Sequence, residues 1–156
     1  MIPLLLAISL ITTPDTLTWN DFKGNPTGES NVLALTWWKI DLNIQEENGK
    51  CTYEVVASID KERSFTRTSD LDILAHEKGH FDLARIYARR IQKLIAKYQG
   101  TGPMKTKIVN RIYDDMCFNL RMKQAEYDLR TDHARSEKMQ AKWNEQIKRM
   151  LNELAE

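Results

Sequence analysis

Ser69-Asp70-Leu71-Asp72-Ile73-Leu74-Ala75-His76-Glu77-Lys78-Gly79-His80-Phe81 decides the fold, because here the apolar period changes from two to about 3.6. Upstream, Trp38, Ile40, Leu42 and Ile44 alternate with Lys39, Asp41, Asn43 and Gln45. Cys51, Tyr53, Val55, Ala57 and Ile59 likewise alternate with Thr52, Glu54, Val56, Ser58 and Asp60. This spacing predicts two half-buried strands, and the Asn48-Gly49 pair between them tolerates positive φ and favours a hairpin. Before them, Leu17 to Gly28 reads as a short extended piece running into a turn-rich loop. Downstream, Leu71, Leu74, Ala75, Phe81, Ala84, Ile91, Leu94, Ile95 and Tyr98 share one broad side of a long helix. Ser69 with Asp72 forms its expected cap, and Gln99-Gly100-Thr101-Gly102-Pro103 its end. A second helix carries Ile108, Ile112, Met116 and Leu120, and a third Met139, Trp143, Ile147, Met150, Leu151 and Leu154. Thr131-Asp132-His133 is the expected break, since Thr and Asp are good N-caps. The whole predicts an α+β domain, an N-terminal antiparallel sheet packed against one long helix and further C-terminal helices.

Composition agrees with one domain and excludes several classes. The chain has 156 residues, a formal charge of +1, 42% apolar and 29% charged residues, which suits a soluble core. Two cysteines cannot make a disulfide scaffold, although Cys51 and Cys117 can form one bridge in an oxidising compartment or remain thiols in a reducing one. Lys and Arg do not cluster with aromatics, which speaks against nucleic acid as a partner. Ile2 to Ile11 is apolar except for Ser9, too short to span a bilayer but long enough for a signal-peptide core, without a basic stretch before it. Residues 1–13 therefore read as a leader and 14–156 as the domain. The expected location is secreted or periplasmic, with a cytoplasmic one as the alternative.

The chemistry sits on the long helix. His76-Glu77-Lys78-Gly79-His80 is an HExxH motif. Residues i and i+4 stand one above the other on a helix, so two imidazoles reach one metal ion while Glu77 points at water on it. Gly79 costs helix stability and leaves backbone bare for a substrate to approach. A catalytic zinc keeps three protein ligands and an open position. His133 is the remaining histidine and the first candidate for the third ligand, with Asp128, Asp132 or a Glu as alternatives. Its distance from His80 departs from metzincin spacing.

His76-Glu77-Lys78-Gly79-His80-Phe81-Asp82-Leu83, Tyr87-Ala88-Arg89, Tyr127-Asp128, Thr131-Asp132-His133 and Trp143 together resemble an uncharacterised bacterial family described as predicted secreted zinc-dependent proteases. Trp19-Asn20-Asp21-Phe22-Lys23-Gly24 is similar too. The resemblance implies a zincin-like fold, one zinc ion per chain, His76, His80 and His133 as ligands and Glu77 as the catalytic residue. Ala134 departs from it, standing where the family favours Gly after the ligand histidine.

Such a site predicts a metallopeptidase. Zinc lowers the pKa of its water to about 7, Glu77 takes the proton as water attacks a peptide carbonyl, and then protonates the leaving amine. Tyr127 is a candidate oxyanion donor, and Asp82 and Asp128 are candidates to orient a ligand imidazole. Trp143, Ile147 and Leu151 read as core. The expected partner is a peptide or protein substrate, held in extended form on a strand edge, with no membrane span. Two alternatives stand beside this: a non-catalytic binding module fastened by zinc, and a zinc hydrolase of cell-wall peptides or amides.

Overall fold

The computed structural model describes residues 17–28 and 31–154. The apolar stretch Ile2 to Ile11, read above as a leader, lies outside the described residues. The elements are β1 (Ala34–Leu35), β2 (Trp38–Glu47), β3 (Lys50–Ile59), β4 (Phe65–Thr66), α1 (Leu71–Ile95), α2 (Thr106–Thr131) and α3 (Glu137–Glu153). The architecture is α+β, with small antiparallel sheets and three helices.

β2 and β3 pair from Trp38 opposite Ile59 to Glu47 opposite Lys50. Asn48 and Gly49 close the turn with φ of 52° and 71°, the two positive values that a two-residue hairpin of matching twist requires. Alternation then sends Ile40, Cys51, Tyr53 and Ala57 into the core. The outer edge of β3 is closed by side chains of the helical segment. Gln92 Oε1 accepts from Val55 N–H (2.8 Å) and Gln99 Oε1 from Tyr53 N–H (2.9 Å), while Gly100 and Thr101 pair with Cys51 through backbone. The short strands β1 and β4 form a separate antiparallel pair, Ala34 opposite Thr66 and Leu35 opposite Phe65.

α1 is covered by the hairpin and by α2 and α3, so it is apolar on more than one side. Phe81, Leu83, Ile86, Ile91 and Ile95 are fully buried on it. Each aliphatic side chain so buried contributes about 1.5–3 kcal/mol. The cap differs from the expected one: Asp70, not Ser69, precedes the first turn, and its Oδ1 accepts from Asp72 N–H at 2.8 Å.

Two further expectations are corrected. Trp19–Asp21 is a single 3₁₀ turn rather than extended chain, because Asp21 Oδ2 accepts from both the Thr18 N–H (2.9 Å) and hydroxyl (3.1 Å). Thr131 and Asp132 do not start the third helix. Thr131 turns its hydroxyl back to Tyr127 O (2.8 Å) and ends α2, and Asp132, His133 and Ala134 follow with φ of 50°, 50° and 72°. α3 begins only after Ser136.

Cys51 and Cys117 are free thiols. Cys51 lies 3.8 Å from the Thr106 hydroxyl at the start of α2. Cys117 is eleven residues further along that helix, about 16 Å by helical rise, whereas a bridge needs Cα atoms about 5.5–6 Å apart. Among the described residues no helix is long and apolar enough to cross a membrane.

Candidate metal centre

The i, i+4 spacing on α1 brings His76 Nε2 and His80 Nε2 to 3.2 Å. α2 crosses beside them and supplies Asp128, whose Oδ1 lies 3.1 Å from His76 Nε2 and 2.9 Å from His80 Nε2. A tetrahedral ion with bonds of about 2.0–2.1 Å spaces its ligand atoms about 3.3–3.4 Å apart, so these three atoms form nearly one face of such a site. The donor set, two imidazole nitrogens and a carboxylate oxygen, suits zinc.

The tautomers suit it as well. His76 Nδ1 faces Gln140 Oε1 at 3.0 Å, and His80 Nδ1 faces Gln124 Oε1. The carboxamide orientations are fixed independently: Gln140 Nε2 donates to the Tyr127 hydroxyl (2.7 Å) and Asn144 Oδ1 (2.8 Å), and Gln124 Nε2 donates to His80 O (2.8 Å). Each glutamine therefore presents an acceptor to Nδ1–H, which leaves the Nε2 lone pair for a metal. Neither glutamine was singled out in the sequence. Gln124 shares one face of α2 with Tyr127, Asp128 and Thr131, a spacing of three, one and three, and that was the available signal.

The electrostatics match. Burial works against the Asp128 charge, but hydrogen bonds from His76 and His80 outweigh it and hold the carboxyl well below the usual range. Burial likewise disfavours a charged His80, yet the Asp128 carboxylate beside it raises its pKa above the ordinary 6.5. Protons thus compete for the position a metal would take.

Glu77 is buried next to these ligands, and its Oε2 accepts from Thr36 N–H at 2.8 Å, just past β1. His76, Glu77, His80, Asp128 and His133 all line one cleft of about 470 Å³, with Leu33, Leu35, Trp38 and Ile73 as its apolar walls. His133 stands at the rim rather than within the tight group: its side chain is 66% exposed, and Nδ1 is 3.7 Å from Asp128 Oδ1.

Four expected roles find other positions. Tyr127 is fully buried beneath the histidines, its ring stacked on His76 at 4.7 Å and its hydroxyl donating to His76 O (3.1 Å), so it does not face the cleft. Burial pushes its hydroxyl pKa far up. Asp82 is paired with Lys78 and Arg85 and orients neither imidazole. Asp128 approaches the Nε2 atoms directly, where a ligand belongs, and not the Nδ1 side. Gly79 is bare for Tyr127 rather than for a substrate.

No curated protein and no solved structure matches the chain. Residues 11–136 match a family of bacterial proteins of unknown function, DUF922, and this span holds every residue of the centre except Gln140 and Asn144. With most of its length matched, the chain belongs to that bacterial family.

Proposed function

We propose that the chain is a zinc-dependent peptidase in which His76, His80 and Asp128 hold the metal and Glu77 is the general base. The observation that carries this is the convergence of three donor atoms 2.9 to 3.2 Å apart, with both imidazoles turned Nε2-inward by glutamine oxygens, at the wall of an open cleft.

Zinc in such a site supplies Lewis acidity, which acidifies water and stabilises an oxyanion. Glu77 takes the proton of the attacking water and delivers it to the leaving amine. The Thr36 N–H holds Oε2, and among the described residues no donor reaches Oε1, which is left for water. The backbone beside it suits an extended substrate. Arg67 N–H donates to Leu33 O, so Leu33 and Leu35 pair with β4 while Ala34 and Thr36 turn their N–H and C=O towards the cleft. A peptide laid along Ala34 adds a strand there, with its side chains against Leu33, Leu35, Trp38 and Ile73.

A second reading has one observation in its favour. His133 Nδ1, 3.7 Å from Asp128 Oδ1, offers a fourth donor, and four protein ligands make a closed, structural zinc site.

The test measures zinc content and hydrolysis of unfolded protein and of peptidoglycan fragments, with wild type beside Glu77→Gln. One zinc per chain in both, with hydrolysis lost only in the variant, supports the peptidase, and the cleaved substrate distinguishes protein from cell wall. A variant that cleaves as fast as wild type removes Glu77 from its role. Bound zinc with no hydrolysis favours the structural site, and no zinc after reconstitution overturns both.

A further inference from the structure

The two edges of the long hairpin are treated differently. The Asp60 N–H donates to Trp37 O at 2.8 Å, which sets the phase of the ladder. Lys39, Asp41, Asn43 and Gln45 therefore exchange hydrogen bonds with β3, and Ile40, Leu42, Ile44 and Glu46 turn their N–H and C=O outward. On β3 the outward groups of Cys51, Tyr53 and Val55 are taken by Gln92, Gln99 and the segment after α1. On β2 the Tyr113 hydroxyl meets Ile40 O at 2.6 Å. Beyond it, among the described residues, nothing meets the outward groups of Leu42, Ile44 and Glu46. Ile44 is also 40% exposed. An edge left open beside one deliberately closed is a template for another strand.

We infer that the open edge of β2 pairs antiparallel with the same edge of a second copy of this chain, joining two hairpins into a four-stranded sheet. The sequence of β2 is complementary to itself in the register centred on Asn43, whereas the register centred on Ile40, which would set Lys39 against the partner's Asp41, is closed by the Tyr113 hydroxyl on Ile40 O. With Asn43 opposite its own copy, Leu42 stands opposite the partner's Ile44, and Ile44 opposite the partner's Leu42. Both pairs are outward-facing and so exchange backbone hydrogen bonds. On the solvent face Asp41 meets the partner's Gln45 and Lys39 meets the partner's Glu47, giving two charge pairs per dimer. A slide by two residues one way sets Asp41 against the partner's Glu47, like charges, and a slide the other way loses both Lys39–Glu47 pairs. The ladder is short because the Tyr113 hydroxyl ends it at Ile40, so association is weak and concentration-dependent.

Sedimentation velocity over a wide concentration range tests this. Wild type shifts from monomer to dimer, whereas Ile44→Pro, which removes an outward N–H and no hairpin bond, stays monomeric. Lys39→Glu and Glu47→Lys each raise the dissociation constant about tenfold, and the double variant recovers dimerisation. The charge variants carry the test alone if Ile44→Pro does not fold. Wild type that stays monomeric at every concentration overturns the inference. So does dimerisation that is indifferent to both Ile44→Pro and the charge reversals.

Discussion

A Cβ on residue 79 would lie 2.2 Å from the phenolic oxygen of Tyr127, so Gly79 and Tyr127 are one packing decision made by two helices. The absent side chain lets the phenol lie against α1, donate to His76 O and receive Gln140 Nε2. Gly79→Ala gains about 1 kcal/mol of helix propensity but forces Tyr127 out of both bonds, for a net loss of about 1–3 kcal/mol. Thermal unfolding by circular dichroism should show a lower Tm than wild type. An unchanged or higher Tm means that Tyr127 is not locked in this position.

Gln140 and Gln124 hold the imidazoles by their Nδ1 atoms, so removing either acceptor loosens the ring before it loosens the fold. Gln140→Leu and Gln124→Leu should each lower zinc affinity about 10–100-fold. Competition against a chromophoric chelator measures this. Affinity equal to wild type in both variants would show that the glutamines merely fill space.

The hairpin, the long helix and the pair His76 and His80 were legible because each is a local pattern: alternation around Asn48-Gly49, a helical period, a spacing of four. Gln124 and Gln140 were not legible, and Asp128 stood only as one of several alternatives for the third ligand, since a polar residue on an amphipathic helix reads as solvent-facing until α2 and α3 close over α1. Thr131 and Asp132 misled for a similar reason. Both are good N-caps, but Asp also accepts the left-handed region, and Thr131 is fully buried with its hydroxyl spent on Tyr127 O.

The third ligand can be assigned by exchange of two side chains. Asp128→Asn should bind zinc at least 100-fold more weakly, because it removes the charge that two imidazoles share. His133→Ala, truncating an exposed ring at the rim, should keep one zinc per chain. The reverse outcome, zinc lost with His133 and kept without Asp128, gives the third position to the histidine.

Ala134 holds φ of 72° as the last of three consecutive left-handed residues, at the position where the family resemblance favours Gly. A Cβ in that region costs about 1–2 kcal/mol. Ala134→Gly should therefore raise stability by about 1 kcal/mol, less the entropy that Gly adds to the unfolded chain. Denaturant unfolding at equilibrium decides it, and a destabilised variant would place the strain elsewhere in the turn.

Acid should find Asp21. Its carboxylate is 2.8 Å from Lys61 Nζ and accepts two bonds from Thr18. Burial opposes the charge, but these partners outweigh it and hold the pKa below the ordinary 3.8. A depressed folded pKa means that the unfolded chain takes up the proton first. The stabilisation is complete well above pH 3.8 and is lost as pH falls through the lower folded value. Asp21→Asn should therefore melt below wild type at pH 7, and the two curves should converge as the pH is taken below that range. A gap between them that stays constant from pH 7 into strong acid would assign the effect of Asp21 to packing rather than to charge.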